Sequence, residues 1–278
     1  MVHANWRCGR FEFHLGRPLL MGIVNVTPDS FSDGGQHPSA PQAIDHAWQL
    51  VESGAQIIDI GGESTRPGAA PVTLEQELER VLPVVQAMKD CGAAISVDTC
   101  KPAVMRAALA AGADMINDIL GMTDVQARDV VATHPDCGVC IMHMQGEPRT
   151  MQLNPQYQDV VQEVLEMLMS QAGALESAGV SRERISIDPG FGFGKTLEQN
   201  LELMRALPRF CDSGYPVLLG VSRKSMIGAM TGRPVGERLA GSIAAALAGI
   251  SRGARIIRVH DVAETLDAIQ VWQAVEQW

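Results

Sequence analysis

An alternation of two periodicities constrains this chain more than any other feature. Eight short runs, at residues 20–26, 56–61, 94–98, 115–119, 138–142, 185–188, 217–221 and 255–259, are rich in Ile and Val and mostly unbroken by polar residues. Such runs suit strands buried on both faces of a parallel sheet. Between and after them lie eight helical patterns, at 42–53, 73–90, 101–111, 124–133, 156–178, 196–207, 236–251 and 262–273. Their ends carry helix punctuation. Gly54 can cap the first, Thr73 and Gln76 fit a capping box on the second, and Pro102 sits in the first turn of the third. Strands alternating with helices and no long linker predict an α/β fold with a parallel sheet. Eight of each in 278 residues predict a closed (β/α)8 TIM barrel as a single domain, with an open doubly wound sheet as runner-up. Residues 1–17 read as a short cap or hairpin over the barrel bottom.

Nearly every run finishes in a polar residue: Asn25, Asp59, Asp98, Asn117, His143, Asp188, Ser222 and the pair Arg258 and His260. Any strand must leave the core and meet water, which accounts for a Ser or an Asn. It does not account for three aspartates at the edge of β-branched runs, because acids are rarely buried unless paired. In barrels, such residues at the C-terminal strand ends build the active site. Arg258 and His260 are two apart and share a strand face, with Ile257 and Val259 on the other. The pair looks like an anion clamp; the plainer alternative is an ion pair with a helix carboxylate.

Three motifs point to chemistry that their context does not support. His134, Cys137, Cys140 and His143 have the three-residue spacing of zinc ligands. Cys140 and His143 lie in a strand run, where steps of three change face, so the set cannot converge on one ion. The same reasoning weakens Cys137 and Cys140 as a redox pair. Gly190-Phe-Gly-Phe-Gly-Lys-Thr196 resembles a phosphate loop, yet that spacing needs glycine where Pro189 stands. Its glycines are expected to let the backbone approach a ligand closely, and one of Phe191 and Phe193 to line a pocket.

Two long loops carry polar groups over the predicted mouth. Asn25-Val-Thr-Pro-Asp-Ser-Phe-Ser-Asp-Gly-Gly35 follows the first strand and Gly61-Gly-Glu-Ser-Thr-Arg-Pro-Gly68 the second. Loops of this length over a barrel are usually functional. Asn25, Asp29, Ser30, Thr65 and Arg66 suit an anion or a metal. A third segment, Gly220-Val-Ser-Arg-Lys-Ser225, follows the seventh strand. A helix starting at Lys224 or Ser225 would offer its N–H groups and dipole to a carboxylate or phosphate.

The net charge of −10 argues against a nucleic-acid partner, which normally needs a basic stripe. Six cysteines without a framework read as reduced thiols. No signal-peptide pattern opens the chain. The most apolar window, 239–250, is far shorter than the roughly 20 residues of a membrane-spanning helix. The expectation is a cytoplasmic protein.

The two long loops, Ser96-Val-Asp-Thr99, Asn117-Asp-Ile119, Asp188-Pro-Gly-Phe-Gly-Phe-Gly-Lys195, Ser222-Arg-Lys-Ser225 and Arg258-Val-His260 together resemble the dihydropteroate synthase family, from about residue 19 to the C-terminus. The resemblance implies a (β/α)8 barrel and a transferase of a pterinylmethyl group. In that reaction 4-aminobenzoate displaces pyrophosphate from 6-hydroxymethyl-7,8-dihydropterin diphosphate, giving 7,8-dihydropteroate for folate biosynthesis. It also implies Mg2+, a homodimer and a sulfonamide target. By motif position, Asp98, Asn117 and Asp188 would hold the pterin, with Lys224 on its carbonyl and Met142, Phe193 and Gly220 nearby. Asn25, Thr65, Arg66, Arg258 and His260 would hold the diphosphate, with Mg2+ at Asn25. Phe31, Thr65, Pro67, Phe193, Lys224 and Ser225 would frame the aminobenzoate. Arg66, Asp98 and Lys224 would carry the catalysis. Cys100 and Leu120 stand where the family commonly has hydroxyl or polar residues.

These residue types fit that chemistry. A pyrimidine edge offers adjacent N–H donors to a carboxylate, each charge-assisted bond contributing about 1.5–3 kcal/mol. Departing pyrophosphate develops negative charge that Arg66, Arg258 and Mg2+ can neutralise, while an ionised Asp98 stabilises the electron-poor pterin carbon. A pterin-dependent methyltransferase would share the barrel but has no need of the anion sites at Thr65-Arg66 and Ser222–Ser225. A non-catalytic pterin-binding paralogue would be expected to have lost some of these residues.

Overall fold

All eight predicted strands enter one parallel sheet that curls on itself. After a hairpin of β1 (Asn5–Cys8) and β2 (Phe11–His14) come β3 (Leu19–Asn25), β4 (Ile57–Gly61), β5 (Ala94–Asp98), β6 (Met115–Asp118), β7 (Gly138–Met142), β8 (Ile185–Asp188), β9 (Leu218–Leu219) and β10 (Ile256–Val259). The order across the sheet is β8-β7-β6-β5-β4-β3-β10-β9. A parallel bridge from Ile187 to Val217 joins the two edges, with Ile187 N–H donating to Pro216 O at 2.9 Å. The sheet is therefore a barrel, as the strand count predicts. The computed structural model describes residues 5–27, 40–64 and 68–276. Phe31, Thr65, Arg66 and Pro67, expected at the site, lie outside the described residues, as do Asp29 and Ser30.

The helices are α1 (Ala40–Glu52), α2 (Leu74–Met88), α3 (Pro102–Ala111), α4 (Val125–Thr133), α5 (Val160–Ser177), α6 (Leu197–Arg205), α7 (Leu207–Cys211), α8 (Ser225–Thr231), α9 (Leu239–Ile250) and α10 (Val262–Glu276). The predicted capping box on α2 is present, with Thr73 and Gln76 exchanging side-chain and backbone bonds. Two departures from the expected elements have local causes. The pattern at 196–207 breaks between α6 and α7, where Pro208 restarts a helix with no N–H to continue the old one. The run at 217–221 pairs only briefly, because Val221 O accepts the Lys224 N–H in a turn that leads into α8.

Strand parity sorts the core into two layers. Leu20, Ile58, Ile95, Ile116, Val139, Ile187 and Ile257 pack outward beneath the helices. Met21, Ile57, Ala94, Met115, Cys140, Leu218 and Ile256 fill the lower interior together with Trp6, Cys8 and Leu15 from the N-terminal segment. The hairpin thus closes the bottom, with Trp6 fully buried and stacked on Phe13. Cys137 lies in the outer core and Cys140 in the inner one, on opposite sides of the sheet wall. In α9, a side chain at Gly249 would meet Leu219 at 2.1 Å and one at Gly241 would meet Ile227 at 2.5 Å, so these small residues serve packing within the barrel. Among the described residues no helix is long and apolar enough to cross a membrane.

Candidate active site

The same parity that buries Ile57 and Ile256 turns the next inward positions into a polar floor. Asp59 lies two residues above Ile57 and is fully buried. It accepts from Ser96 Oγ at 2.6 Å, Asn117 Nδ2 at 3.2 Å and Arg258 Nε at 2.6 Å. Arg258 donates its other edge, through Nη2, to Asp98 Oδ2 at 2.9 Å. The sequence anticipates Arg258 either as an anion clamp or paired with a helix carboxylate. Its partners are instead two strand carboxylates, because it lies on the inward face with them. Burial works to lower the Arg258 pKa, but Asp59 and Asp98 outweigh it and hold the guanidinium charged. Asp98 is pushed up to about 7, chiefly by burial, with Arg258 opposing and Asp59 adding.

Above that floor, sheet register sets a row of neighbours: Asn25, Gly61, Asp98 and Asn117. Gly61 leaves a gap in the row, since a side chain there would lie 3.6 Å from Asp98 Cβ and 3.9 Å from Asn25 Oδ1. Across the mouth, Asp188 Oδ1 accepts the Gly190 N–H at 2.7 Å. Burial raises the Asp188 pKa while Lys224 opposes the shift. Lys224 moves the other way, to about 8, because burial disfavours its charge despite Asp188. Its Nζ donates to Phe191 O and lies 4.5 Å from the centre of the Phe193 ring. Gly220 is the open centre of this group. A side chain there would stand 3.8 Å from both Asp188 Oδ2 and Lys224 Nζ, and 4.0 Å from Arg258 Cδ.

Two cavities open on this arrangement. The larger, about 490 Å3, is lined by Asn25, Phe193, Gly220, Lys224, Arg258 and His260, among others. The smaller, about 300 Å3, is lined by Asp98, Thr99, Cys100, Ile119, Leu120 and others. Arg258 lines one and Asp98 the other, so their ion pair stands between them. His260 Nδ1 lies 3.0 Å from Ser222 Oγ, which also accepts the His260 N–H at 3.2 Å. Ser225 opens α8 at the rim, and no side chain caps that helix start. Met142 is buried, in register beside Asp188. Arg223 holds a left-handed backbone at φ 57°. It is anchored by Asp261 and by its N–H donating to Ser242 Oγ at 2.9 Å, and its neighbours Ser222 and Lys224 both line the larger cavity.

The glycine-rich segment is a correction to the sequence reading. Gly190 and Gly194 let the backbone approach protein rather than ligand. A Cβ on Gly190 would lie 1.9 Å from His143 O, and one on Gly194 would lie 2.4 Å from Gln145 O. Phe191 is wholly buried and Phe193 reaches the cavity. Lys195, part of the apparent phosphate-loop motif, is buried and bonded to His143 and loop carbonyls. His134, Cys137, Cys140 and His143 do not come together: His134 Nδ1 accepts the Cys137 N–H and His143 Nδ1 faces Lys195.

Sequence reasoning left two supports without a role or unseen. Asp59 was marked only as a polar strand end; its inward parity between Ile58 and Ile60 is the signal for a floor position. The second is Glu63, whose Oε1 accepts the Val72 N–H at 3.2 Å and whose Oε2 pairs with Lys101. Lys101 also reaches the buried Glu77 at 2.5 Å. Glu63 thereby links Val72 to Lys101 at the start of α3, and nothing in the local sequence marks it.

Comparison with known proteins accords with this geometry. A profile for the family described as "Pterin binding enzyme" matches residues 21–260. The dihydropteroate synthase of Neisseria meningitidis serogroup C is 52% identical over 279 residues, covering 99% of both chains. A Xanthomonas albilineans dihydropteroate synthase solved with 4-aminobenzoic acid superposes with a TM-score of 0.93 at 50% identity, covering 99% of each chain. A Burkholderia cenocepacia dihydropteroate synthase complexed with 7,8-dihydropteroate gives 0.90 at 50% identity, covering 100% of this chain and 98% of that one. The chain belongs to the dihydropteroate synthase family of pterin-binding enzymes.

Proposed function

We propose that the barrel mouth of this synthase divides its work between a heterocycle floor and an anion rim. Asp98, Asn117 and Asp188 hold the pterin, Lys224 meets its carbonyl oxygen, and Met142, Phe193 and Gly220 bound the ring. Asn25, Thr65, Arg66, Arg258 and His260 hold the diphosphate. Phe31, Thr65, Pro67, Phe193, Lys224 and Ser225 frame the aminobenzoate, whose carboxylate suits the uncapped start of α8. One observation carries this division. Asp188, Lys224 and Arg258 converge around Gly220, which bears no side chain, and Arg258 joins them to the second carboxylate, Asp98.

The ion pair between Arg258 and Asp98 gives the site a way to accept both ends of a pterin diphosphate at once. An N–H edge reaching Asp98 and a phosphate reaching Arg258 replace that pair with two new charge-assisted contacts. The guanidinium keeps its Nε bond to Asp59 and so stays in place while Nη2 changes partner. As pyrophosphate departs, Arg66 and Arg258 meet the growing negative charge, and ionised Asp98 stabilises the electron-poor carbon. The aminobenzoate nitrogen then bonds to that carbon and releases its proton. No nucleophilic side chain is needed.

Mg2+ fits the donors present. Mg2+ is usually held by one or two carboxylates together with substrate phosphates and takes oxygen donors throughout. Asn25 offers an amide oxygen beside Asp98 and lines the larger cavity. When bound with the diphosphate, the ion supplies positive charge to the leaving group. The wider reading is of one domain working as a homodimer in the cytoplasm. The hairpin built into the barrel floor supports the first point, exposed Met230, Val235 and Leu239 beside α9 the second, and six unbridged cysteines the third.

Calorimetric titration of 6-hydroxymethylpterin into the wild type and into Asp188→Asn tests the division. Loss of two charge-assisted contacts predicts at least ~10²-fold weaker binding. Unchanged affinity would place the pterin elsewhere. Release of pyrophosphate on mixing both substrates separates transfer from a methyltransferase or a binding-only paralogue.

A further inference from the structure

The loop that carries Phe193 is tied down in an unusual way. Every carbonyl from Gly190 to Gly194 is taken by a side chain. Lys195 Nζ donates to Gly190 O at 2.9 Å and Phe193 O at 3.0 Å. Lys224 donates to Phe191 O and Gln152 to Gly192 O. Tyr157 Oη donates to Gly194 O at 2.9 Å. Loop carbonyls ordinarily face water, so five in succession held by protein mark a backbone kept in one shape.

Lys195 is the hub of this arrangement. It also meets His143 O at 3.3 Å and His143 Nδ1 at 3.0 Å, tying the loop to the end of β7. Its residue is 3% exposed, and no carboxylate forms an ion pair with it among the described residues. Burial pushes its pKa down to about 7. Burial and Lys195 itself push His143 to about 3, so the imidazole is neutral and can accept. With no carboxylate in direct contact and Asp188 only partly offsetting the burial, this amine costs folding free energy that an apolar side chain would avoid. Scaffolding alone does not explain its presence. Its position does, because the carbonyls it holds, Gly190 O and Phe193 O, bracket Phe191, whose O is the resting place of Lys224, and Phe193 itself lines the cavity.

We propose that Lys195 is a positioning residue for the transfer: its amine fixes the Gly190–Gly194 backbone, and through it the Phe193 ring and the Lys224 amine against the aminobenzoate. The proposal rests on the reading above that Phe193 and Lys224 face that substrate. Lys224 and Phe193 border both substrates, but the pterin is also held by Asp98 and Asn117 on β5 and β6, which this loop does not shape, so pterin capture depends on Lys195 less than aminobenzoate capture does.

The test combines steady-state kinetics with calorimetric titration of 6-hydroxymethylpterin, on Lys195→Met, Tyr157→Phe and Phe193→Ala. For Lys195→Met, KM for 4-aminobenzoate is expected to rise ~10-fold or more while pterin affinity falls by a smaller factor. Tyr157→Phe removes one tie, at Gly194 O, and Tyr157 does not line the larger cavity. It is expected to raise the same KM by roughly 2–4-fold, and it carries the test where Lys195→Met fails to fold. An unchanged KM in Tyr157→Phe and in any folded Lys195→Met overturns the proposal. So does a fall in pterin affinity as large as the rise in KM. Phe193→Ala separates the two readings. If it leaves the aminobenzoate KM unchanged, the site assignment itself is wrong; if it raises KM while the other variants do not, only the role of Lys195 fails.

Discussion

Asp59→Asn removes one negative charge from the floor without changing its shape. The wild-type carboxylate is fully buried and receives donors from Ser96, Asn117 and Arg258. An amide has only one acceptor oxygen, so its NH2 must face at least one of these donors. Removing one partner of a buried ion pair costs about 3–5 kcal/mol. Arg258 keeps Asp98 and is 19% exposed, so the lower end applies, about 3 kcal/mol. For a chain of this size that lowers Tm by roughly 6–12 °C. The second consequence is a pH shift. Asp98 is raised to about 7 in the wild type, so its ionised form dominates only above that value. Pterin binding that uses the ionised form should weaken toward ~10-fold per pH unit below 7. Asp59 contributes to raising Asp98, so its neutralisation lowers the Asp98 pKa and moves the acid limb to lower pH. Calorimetric titration of a pterin from about pH 5 to about pH 8 reads the limb, and thermal unfolding reads the stability. A destabilised variant whose acid limb stays at the wild-type pH refutes the sharing of Arg258 between two acids. A wild-type affinity that is flat across the range refutes the role of Asp98.

Two further outcomes follow from particular contacts and a third from the role proposed for Arg66. Trp6→Ala should cost about 3–5 kcal/mol in denaturant unfolding, because a fully buried ring leaves a cavity at the barrel bottom. Trp6→Phe should cost markedly less, since the buried Trp6 Nε1 has no hydrogen-bond partner among the described residues to lose; equal losses would mean that something other than ring volume holds the plug. Gly190→Ala places a Cβ 1.9 Å from His143 O at φ 71° and should abolish activity and lower stability by more than ~3 kcal/mol, whereas Gly179→Ala, with open space around it, should cost about 1 kcal/mol in the same unfolding assay. Arg66→Ala should lower turnover ~10²-fold while pterin affinity, measured by calorimetry, holds within a few-fold; equal collapse of both would reverse the assigned roles.

The strands were legible because a closed parallel barrel leaves them no polar face below the mouth, and Ile and Val runs follow from that. Helix starts at Thr73 and Pro102 were legible because capping chemistry is local. Helix α8 was less so: seven residues make about two turns, too few for a clear 3.6-residue period. The polar ring could be found at the strand ends, but the choice of partners could not. Arg258 bonds Asp59 across 199 residues of chain, a pairing set by the stagger of strands around the barrel. The glycines of the β8–α6 loop show the same limit. Their sequence announces a backbone that must come close to something, and only the fold reveals that Gly190 meets the carbonyl of His143.

That limit also explains why the floor is polar at all. A packed apolar layer at Asp59, Ser96 and Asn117 could be as stable as this network, because burying an acid is costly unless donors surround it. Here the donors come from three different strands, β5, β6 and β10. Each bond that satisfies Asp59 therefore also fixes a side chain from another strand. Two of those side chains, Asn117 and Arg258, are the ones assigned to the ligand. Held this way, they need little reorganisation when pterin and diphosphate arrive, which is where preorganised dipoles gain their effect. An apolar floor would keep the barrel folded and leave both groups to find their own positions. The buried carboxylate is thus a structural residue whose value is measured at the site above it, and that is why its loss should appear in the pH dependence of binding as well as in Tm.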